Sequence, residues 1–74
     1  MKFRRHAFAM EVADYLTLSV GKGQRYGQAV YNVMSEWHFE VANKLTNTKF
    51  DCFEDDSKAE KFIDECERLL GEKE

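Results

Sequence analysis

Hydrophobic residues recur at helical spacing through most of the chain, and the clearest example begins near Gln24. Later apolar residues stand three, four, seven, eight and eleven positions after the first, and the set is Tyr26, Ala29, Val30, Val33, Met34 and Trp37. Such a period places these side chains along one face of a helix. The pattern therefore predicts a helix from Gln24 to Glu36 with one wide apolar stripe.

An earlier segment, from about Ala7 to Ser19, carries the same period. Its apolar positions are Phe8, Val12, Tyr15 and Leu16, and the sequence Val20-Gly21-Lys22-Gly23 follows them. Glycine adopts the left-handed conformation that ends helices, so a helix is predicted to stop there. A strand over 15–20 is the alternative, because that stretch alternates and contains β-branched residues. The helix is the preferred prediction.

The next segment, from about His38 to Asn47, places Val41, Ala42 and Leu45 toward the core. These positions extend the stripe of the preceding helix, so one long helix is an alternative to two. A sharp turn near Trp37 is preferred, because an unbroken helix would leave little chain to fold back upon it.

The last helix has the clearest start signal. Ser57 and Glu60 have the spacing of a capping box, and Asp55 and Asp56 stand beside the positive end of the helix. An apolar stripe follows and consists of Ala59, Phe62, Ile63, Cys66, Leu69 and Leu70. Gly71 is predicted to end the helix.

Together these segments predict an all-α fold: a compact single domain, 1–74, of three or four short helices. Residues 1–6 are predicted to be a flexible basic arm and residues 72–74 a frayed tail. The stripe of the last helix is predicted to dock against the second helix. A chain of this size buries only about 60% of its unfolded surface. A homodimer is therefore also predicted, since it would add to a small core.

Charge divides the chain. Residues 1–50 hold seven Lys and Arg against four Asp and Glu, whereas residues 51–74 hold four against ten. This predicts a weakly basic body and an acidic last helix. The overall pI of about 5.4 argues against a dedicated nucleic-acid binder. The residues that would serve such binding, as an alternative, are Lys2, Arg4, Arg5 and Lys22.

Compartment is predicted from the first residues and the cysteines. The basic start is followed by His6, Glu11 and Asp14, where a secretory signal would need an unbroken apolar run. No apolar run approaches the about 20 residues of a membrane span. We therefore expect a cytoplasmic protein, without membrane contact, in which Cys52 and Cys66 are reduced thiols.

Candidate chemistry is sparse. The glycines of 21–27 stand near two cations and a helix start, but Tyr26 occupies a position where a dinucleotide loop needs glycine, and a turn is the preferred interpretation. The carboxylates of 51–56 lack the pattern of a calcium loop, and helix-start electrostatics explains them better. No paired carboxylates or nucleophile motif occurs. We predict no enzymatic activity, no cofactor and no metal.

Aromatic residues suggest a protein partner, because the chain has more rings than a small core easily encloses. Tyr31 lies beside the stripe of the second helix, and Trp37 and Phe39 flank the predicted turn. Exposed aromatic residues are enriched at protein interfaces. These three residues are the candidate interaction residues.

The run Gln24-Arg25-Tyr26-Gly27-Gln28-Ala29-Val30-Tyr31-Asn32 and the later Thr48-Lys49-Phe50-Asp51-Cys52-Phe53 resemble a group of small uncharacterised bacterial and phage proteins. Those carry R-[WY]-G-Q-x-x-[FY]-N on a helix and then a T-x-x-D-P-F loop. The positions in common are Arg25, Tyr26, Gly27, Gln28, Asn32, Thr48, Asp51 and Phe53. Asn47 and Cys52 stand where that group often has glycine and proline.

The resemblance implies a phage or mobile-element setting and no particular reaction. We expect the shared positions to contact one another, with Arg25 bound to Asp51 so that the loop of 50–53 is fastened to the second helix. Gly27, inside that helix, is expected to permit close packing. The predicted function is a non-catalytic accessory protein that binds a host or phage protein. The alternative is a small nucleic-acid-associated regulator that uses the basic arm.

Overall fold

Four α-helices and one short 3₁₀ turn make up the fold, in a computed structural model that describes residues 3–18 and 23–72. The helices are α1 (Arg5–Thr17), α2 (Tyr26–Trp37), α3 (Phe39–Leu45) and α4 (Ala59–Glu72), and the 3₁₀ turn spans Asp56–Lys58. The described residues form no strand. The all-α prediction is confirmed, and α1 is helical through Thr17, where the strand alternative had been placed.

The N-terminal segment is not a free arm. Phe3 is buried, and its ring lies 5.4 Å from that of Phe8 and 6.1 Å from that of His38. Arg5 already begins α1. The prediction of a flexible arm is therefore wrong for residues 3–6, because an apolar ring at position 3 gains stability by joining the core. Residues 1 and 2 lie outside the described part of the chain.

The turn predicted near Trp37 is confirmed. His38 has φ −146° and ψ 73°, which are not helical, and its carbonyl starts the hydrogen bonds of α3. Val41, Ala42 and Leu45 are buried as expected. The break lets α3 fold back so that both α2 and α3 contact α4.

The predicted capping box at the start of α4 is wrong. Asp55 takes the capping role instead: its Oδ1 accepts from Ser57 N at 3.0 Å and from Ser57 Oγ at 2.6 Å. Glu60 does not reach back, because its carboxylate pairs with Arg5. A 3₁₀ turn therefore precedes the α-helix, and a carboxylate near the first amide groups suits the positive helix end.

α4 buries one apolar face in the core. Phe62 and Cys66 are fully buried, Ile63 and Leu70 are buried, and Leu69 packs partly buried against the core. Phe62 meets Tyr31 of α2 with ring centroids 5.7 Å apart, so the predicted docking on α2 is confirmed. Gly71 lies inside the helix, which ends at Glu72. The rest of the predicted tail, 73–74, lies outside the described residues.

The turn before α2 is only partly described. Gly23 has φ +89°, the left-handed conformation expected of a turn glycine. The helix begins at Tyr26, two residues later than predicted, and Arg25 precedes it with extended backbone. Residues 19–22, where α1 was predicted to end, lie outside the described part.

Candidate functional site

Gly27 lies where the backbone of α2 packs closely against the loop of 46–58, which joins α3 to α4. Its amide donates to Asp56 Oδ1 at 2.9 Å, and its carbonyl accepts from Cys52 Sγ at 3.2 Å. A Cβ atom built on Gly27 would lie 2.3 Å from the Cys52 carbonyl oxygen. No side chain fits in that space, so the prediction of close packing at Gly27 is confirmed.

Arg25 fastens the same loop to the start of α2, but through other atoms than expected. Its Nη2 donates to the Phe53 carbonyl oxygen at 3.0 Å, and its Nε lies 3.9 Å from Asp56 Oδ1. The predicted Arg25–Asp51 pair is wrong. Asp51 is unavailable because its carboxylate is used within its own loop.

Asp51 organises that loop. One carboxylate oxygen accepts from Asn47 N at 2.8 Å and the other from Phe53 N at 3.0 Å. Asn47 has φ +64°, a conformation that asparagine tolerates better than most residues. Asn47 thus adopts a conformation that glycine most often supplies. Thr48 adds a bond from its hydroxyl to Leu45 O at 2.6 Å and accepts from Phe50 N.

The remaining motif residues divide between support and surface. Asn32 Nδ2 donates to Tyr15 OH at 3.3 Å and to Gln24 Oε1 at 3.1 Å, which links α2 to α1 and to the preceding turn. Gln28 is half-buried, and Tyr26 is exposed. Most of the motif residues thus make contacts within the fold, and Tyr26 is one of those exposed to solvent.

Tyr31 is not the free aromatic residue that the sequence suggested. Its ring packs edge-on to Phe53 at 5.6 Å, and its hydroxyl is 2.5 Å from Thr46 Oγ1. Thr46 Oγ1 itself donates to Ala42 O at 3.2 Å, which leaves Tyr31 as the donor of the shared bond. Tyr31 therefore ties α2 to the end of α3.

An open cleft of about 690 Å³ lies beside that bond, and we call it the loop cleft. Its walls are formed by the rings of Tyr31 and Phe53 and by the polar residues Thr46, Asn47 and Thr48. The charged residues at the cleft are Asp51, Glu54, Asp55 and Lys58. Three carboxylates against one ammonium make the cleft a candidate binding site for a positively charged group.

Sequence reasoning identified Tyr31, Asp51 and Phe53 but did not bring them to one place. Thr46, Asn47 and Lys58 were missed as site residues. The available signal was the spacing T-x-x-D-x-F of 48–53, which marks a tightly bonded loop. Tyr31 and Phe53 are far apart in the sequence, and their contact depends on how α3 folds back. Local sequence patterns therefore do not predict it.

The other two candidate interaction residues have different environments. Trp37 is half-buried and packs edge-on to Phe8 at 5.4 Å, so it contributes to the core. Phe39 is 65% exposed on the outward side of α3. The other large apolar residues exposed in the described segments are Met10, Leu18 and Tyr26.

Of the four candidate nucleic-acid residues, the structure describes Arg4 and Arg5. Arg5 contacts three carboxylates of α4: Glu60 at 2.9 Å, Asp64 at 2.8 Å and Glu67 at 3.0 Å. Arg4 is exposed, and Lys2 and Lys22 lie outside the described residues. The negative charge of α4 is thus partly neutralised within the fold, because Arg5 pairs with three of its carboxylates.

Both thiols are free and fully buried. Burial, together with the nearby Asp51 carboxylate, raises the pKa of Cys52 to about 12. Burial, with the neighbouring Cys52, likewise raises the pKa of Cys66 to about 12. Thiols in this state are poor nucleophiles at neutral pH, because the thiolate is the reactive form.

Within residues 3–18 and 23–72, no three His, Cys, Asp or Glu side chains are placed to hold a metal ion together. In the same residues, no helix combines the length and apolar character needed to cross a membrane. No family model matches the chain, and neither a curated protein nor a solved structure gives a match.

Proposed function

We propose that the protein is a non-catalytic accessory protein, of phage or mobile-element origin, that acts in the cytoplasm by binding a host or phage protein. The observation that supports this most is Phe39, whose side chain is 65% exposed in a domain with a small core. Burying an aromatic side chain at an interface stabilises the complex by about 1.5–3 kcal/mol relative to leaving that side chain exposed. Aromatic residues are accordingly enriched at interfaces.

The outward side of α3 and the loop cleft are close enough for one partner. α3 runs from Phe39 to Leu45, and the next residue, Thr46, lines the cleft. A seven-residue helix is about 10 Å long. A standard interface covers about 800 Å² of each partner, and the accessible surface here is 4904 Å². An interface centred between Phe39 and the cleft would include both.

The state of the thiols supports the non-catalytic part of the proposal. Cys52 donates its thiol hydrogen to Gly27 O, and both cysteines are buried with a raised pKa. Neither thiol is in a position to attack a substrate. The role of each cysteine is to fill space in the core.

Nucleic-acid binding, the alternative, has weaker support. Arg5 was one of its candidate residues, and the guanidinium of Arg5 is held by three carboxylates. A phosphate group would have to compete with them. Nuclease treatment in the test below keeps this alternative measurable.

The test is capture of partners by the tagged protein from a bacterial lysate, with and without nuclease treatment. Wild type is compared with Phe39→Ser and with Met10→Ser, a matched control on α1 whose side chain is 57% exposed. We expect a protein in stoichiometric amount on wild type and Met10→Ser and its loss on Phe39→Ser. Equal recovery on all three, or recovery that disappears with nuclease, would contradict the proposal.

The predicted homodimer uses the same exposed ring, so sedimentation velocity of the purified protein accompanies the capture. If wild type sediments as a dimer and Phe39→Ser as a monomer, Phe39 serves self-association. In that case Phe39 is buried between two copies of the chain, and its assignment to the partner interface is contradicted.

A further inference from the structure

We propose that the loop cleft binds an arginine side chain in a basic segment of the partner protein. This inference rests on the proposed function, because it states the chemistry by which that partner is recognised. It concerns a different part of the surface from Phe39 and can be tested separately.

The shape and lining of the cleft suit a flat cation on an apolar stem. The cleft is open, has a volume of about 690 Å³, and is walled by the half-buried rings of Tyr31 and Phe53. A guanidinium group stacks on aromatic rings and is more weakly hydrated than an ammonium group. Arginine can therefore bury its aliphatic stem beside the rings and keep its charged end at the polar rim.

The charge of the cleft favours a cation. Three carboxylates, those of Asp51, Glu54 and Asp55, line the cleft with one ammonium group, that of Lys58, and the Arg25 guanidinium lies near Asp55. Asp51 already accepts two backbone hydrogen bonds, whereas Glu54 makes no hydrogen bond or ion pair among the described residues. Asp55 Oδ1 likewise accepts two hydrogen bonds from Ser57, which lower the pKa of Asp55. Glu54 is therefore the expected partner of a guanidinium.

The site is formed before any ligand binds. Asp51 fixes the backbone at both Asn47 and Phe53, and Arg25 holds the Phe53 carbonyl. The bond between Tyr31 and Thr46 fixes the opposite wall. A preformed site spends little free energy on ordering its own side chains, which favours binding of a single side chain.

The test uses amide NMR shifts of the ¹⁵N-labelled full chain. The probe is a blocked five-residue peptide of Ala and Gly with one central Arg. The control peptide carries citrulline, which has the shape of arginine without its charge, in the same position. The variants are Glu54→Gln at the cleft and Glu11→Gln, an exposed carboxylate on α1.

We expect saturable shifts with the arginine peptide at the amides of Thr46, Asn47, Phe53 and Glu54. Glu54→Gln should weaken binding at least about threefold, Glu11→Gln should leave it unchanged, and raising NaCl to about 0.5 M should weaken it. Equal shifts with the citrulline peptide would overturn the inference, as would shifts centred on the acidic side of α4.

The two proposals fail separately. If the peptide leaves the cleft unperturbed while capture still depends on Phe39, the arginine site is wrong and protein binding stands. If the cleft binds the arginine peptide but no protein is captured, the arginine site stands and the wider function is wrong.

Discussion

At the scale of single residues, the contact between Gly27 and the loop is the feature most sensitive to change. A methyl group at this position would meet a backbone carbonyl 2.3 Å away and Asp56 Oδ1 3.0 Å away. A carbonyl cannot rotate aside as the end of a flexible side chain can. The loop would have to move, and that movement would disturb both hydrogen bonds of Gly27.

We predict that Gly27→Ala lowers the free energy of unfolding by about 2 kcal/mol, because the strain of overpacking exceeds the about 1 kcal/mol by which alanine favours a helix. Urea denaturation measures the change. Gly71→Ala is the matched control, since nothing lies within 4 Å of its added Cβ. That variant should be neutral or more stable by up to about 1 kcal/mol. A stabilised Gly27→Ala would show that the loop packs less closely than described.

The buried thiols give a prediction about alkaline pH. Burial raises the pKa of Cys66 from 9.0 to about 12, with a smaller effect of Cys52. The unfolded chain therefore loses this proton at lower pH than the folded chain. The stabilising contribution is complete below pH 9 and is lost as pH rises toward 12.

We expect the free energy of unfolding of wild type to fall more steeply between about pH 8 and about pH 10 than that of Cys66→Ala, because one such group adds a slope of up to about 1.4 kcal/mol per pH unit. Urea titrations at a series of pH values give both slopes. The comparison uses slopes, so the cavity left by alanine does not affect it. Parallel curves would mean that Cys66 titrates normally.

At the scale of elements, Arg5 joins α1 to α4 through Glu60, Asp64 and Glu67. The Arg5 side chain is 41% exposed, so solvent screens each pair. Exposed pairs contribute about 0–1 kcal/mol each. Their effect here comes from one guanidinium serving three carboxylates on one helix face.

Arg5→Gln is accordingly predicted to lower the free energy of unfolding by about 1 kcal/mol at low salt and by less at high salt. Thermal unfolding at two salt concentrations measures this. The neighbouring exposed Arg4 supplies the control, and Arg4→Gln should have no such effect. Equal behaviour of the two variants would indicate that the α1–α4 ion pairs do not contribute to stability.

The elements were largely predictable from the sequence, because hydrophobic period depends on local spacing. α2 and α3 were placed within about two residues, and the break between them was expected. Two errors arose where a carboxylate had competing partners. Glu60 pairs with Arg5 and so does not form the predicted capping box. Asp51 binds two amides of its own loop and so does not pair with Arg25. Phe3 joins the core through Phe8 and His38, which no local pattern indicates.

At the scale of the whole molecule, the candidate binding surface has two features, one at each end of α3: the exposed ring of Phe39 and the negatively charged loop cleft. The sequence predicted the ring but not the cleft, which forms only when α3 folds back and brings Thr46 to Tyr31. The motif residues mainly hold the loop in place. We infer that their structural role is to preserve this surface.

The measurement that tests the central claim most directly is photo-crosslinking in living bacterial cells. The photoreactive aromatic residue p-benzoylphenylalanine replaces Phe39 in one sample and Met10, on α1, in the control. We predict one discrete nuclease-resistant protein adduct from position 39 and none of comparable yield from position 10. No adduct at position 39, the same adducts at both positions, or an adduct that nuclease removes would contradict the claim that this surface binds a protein.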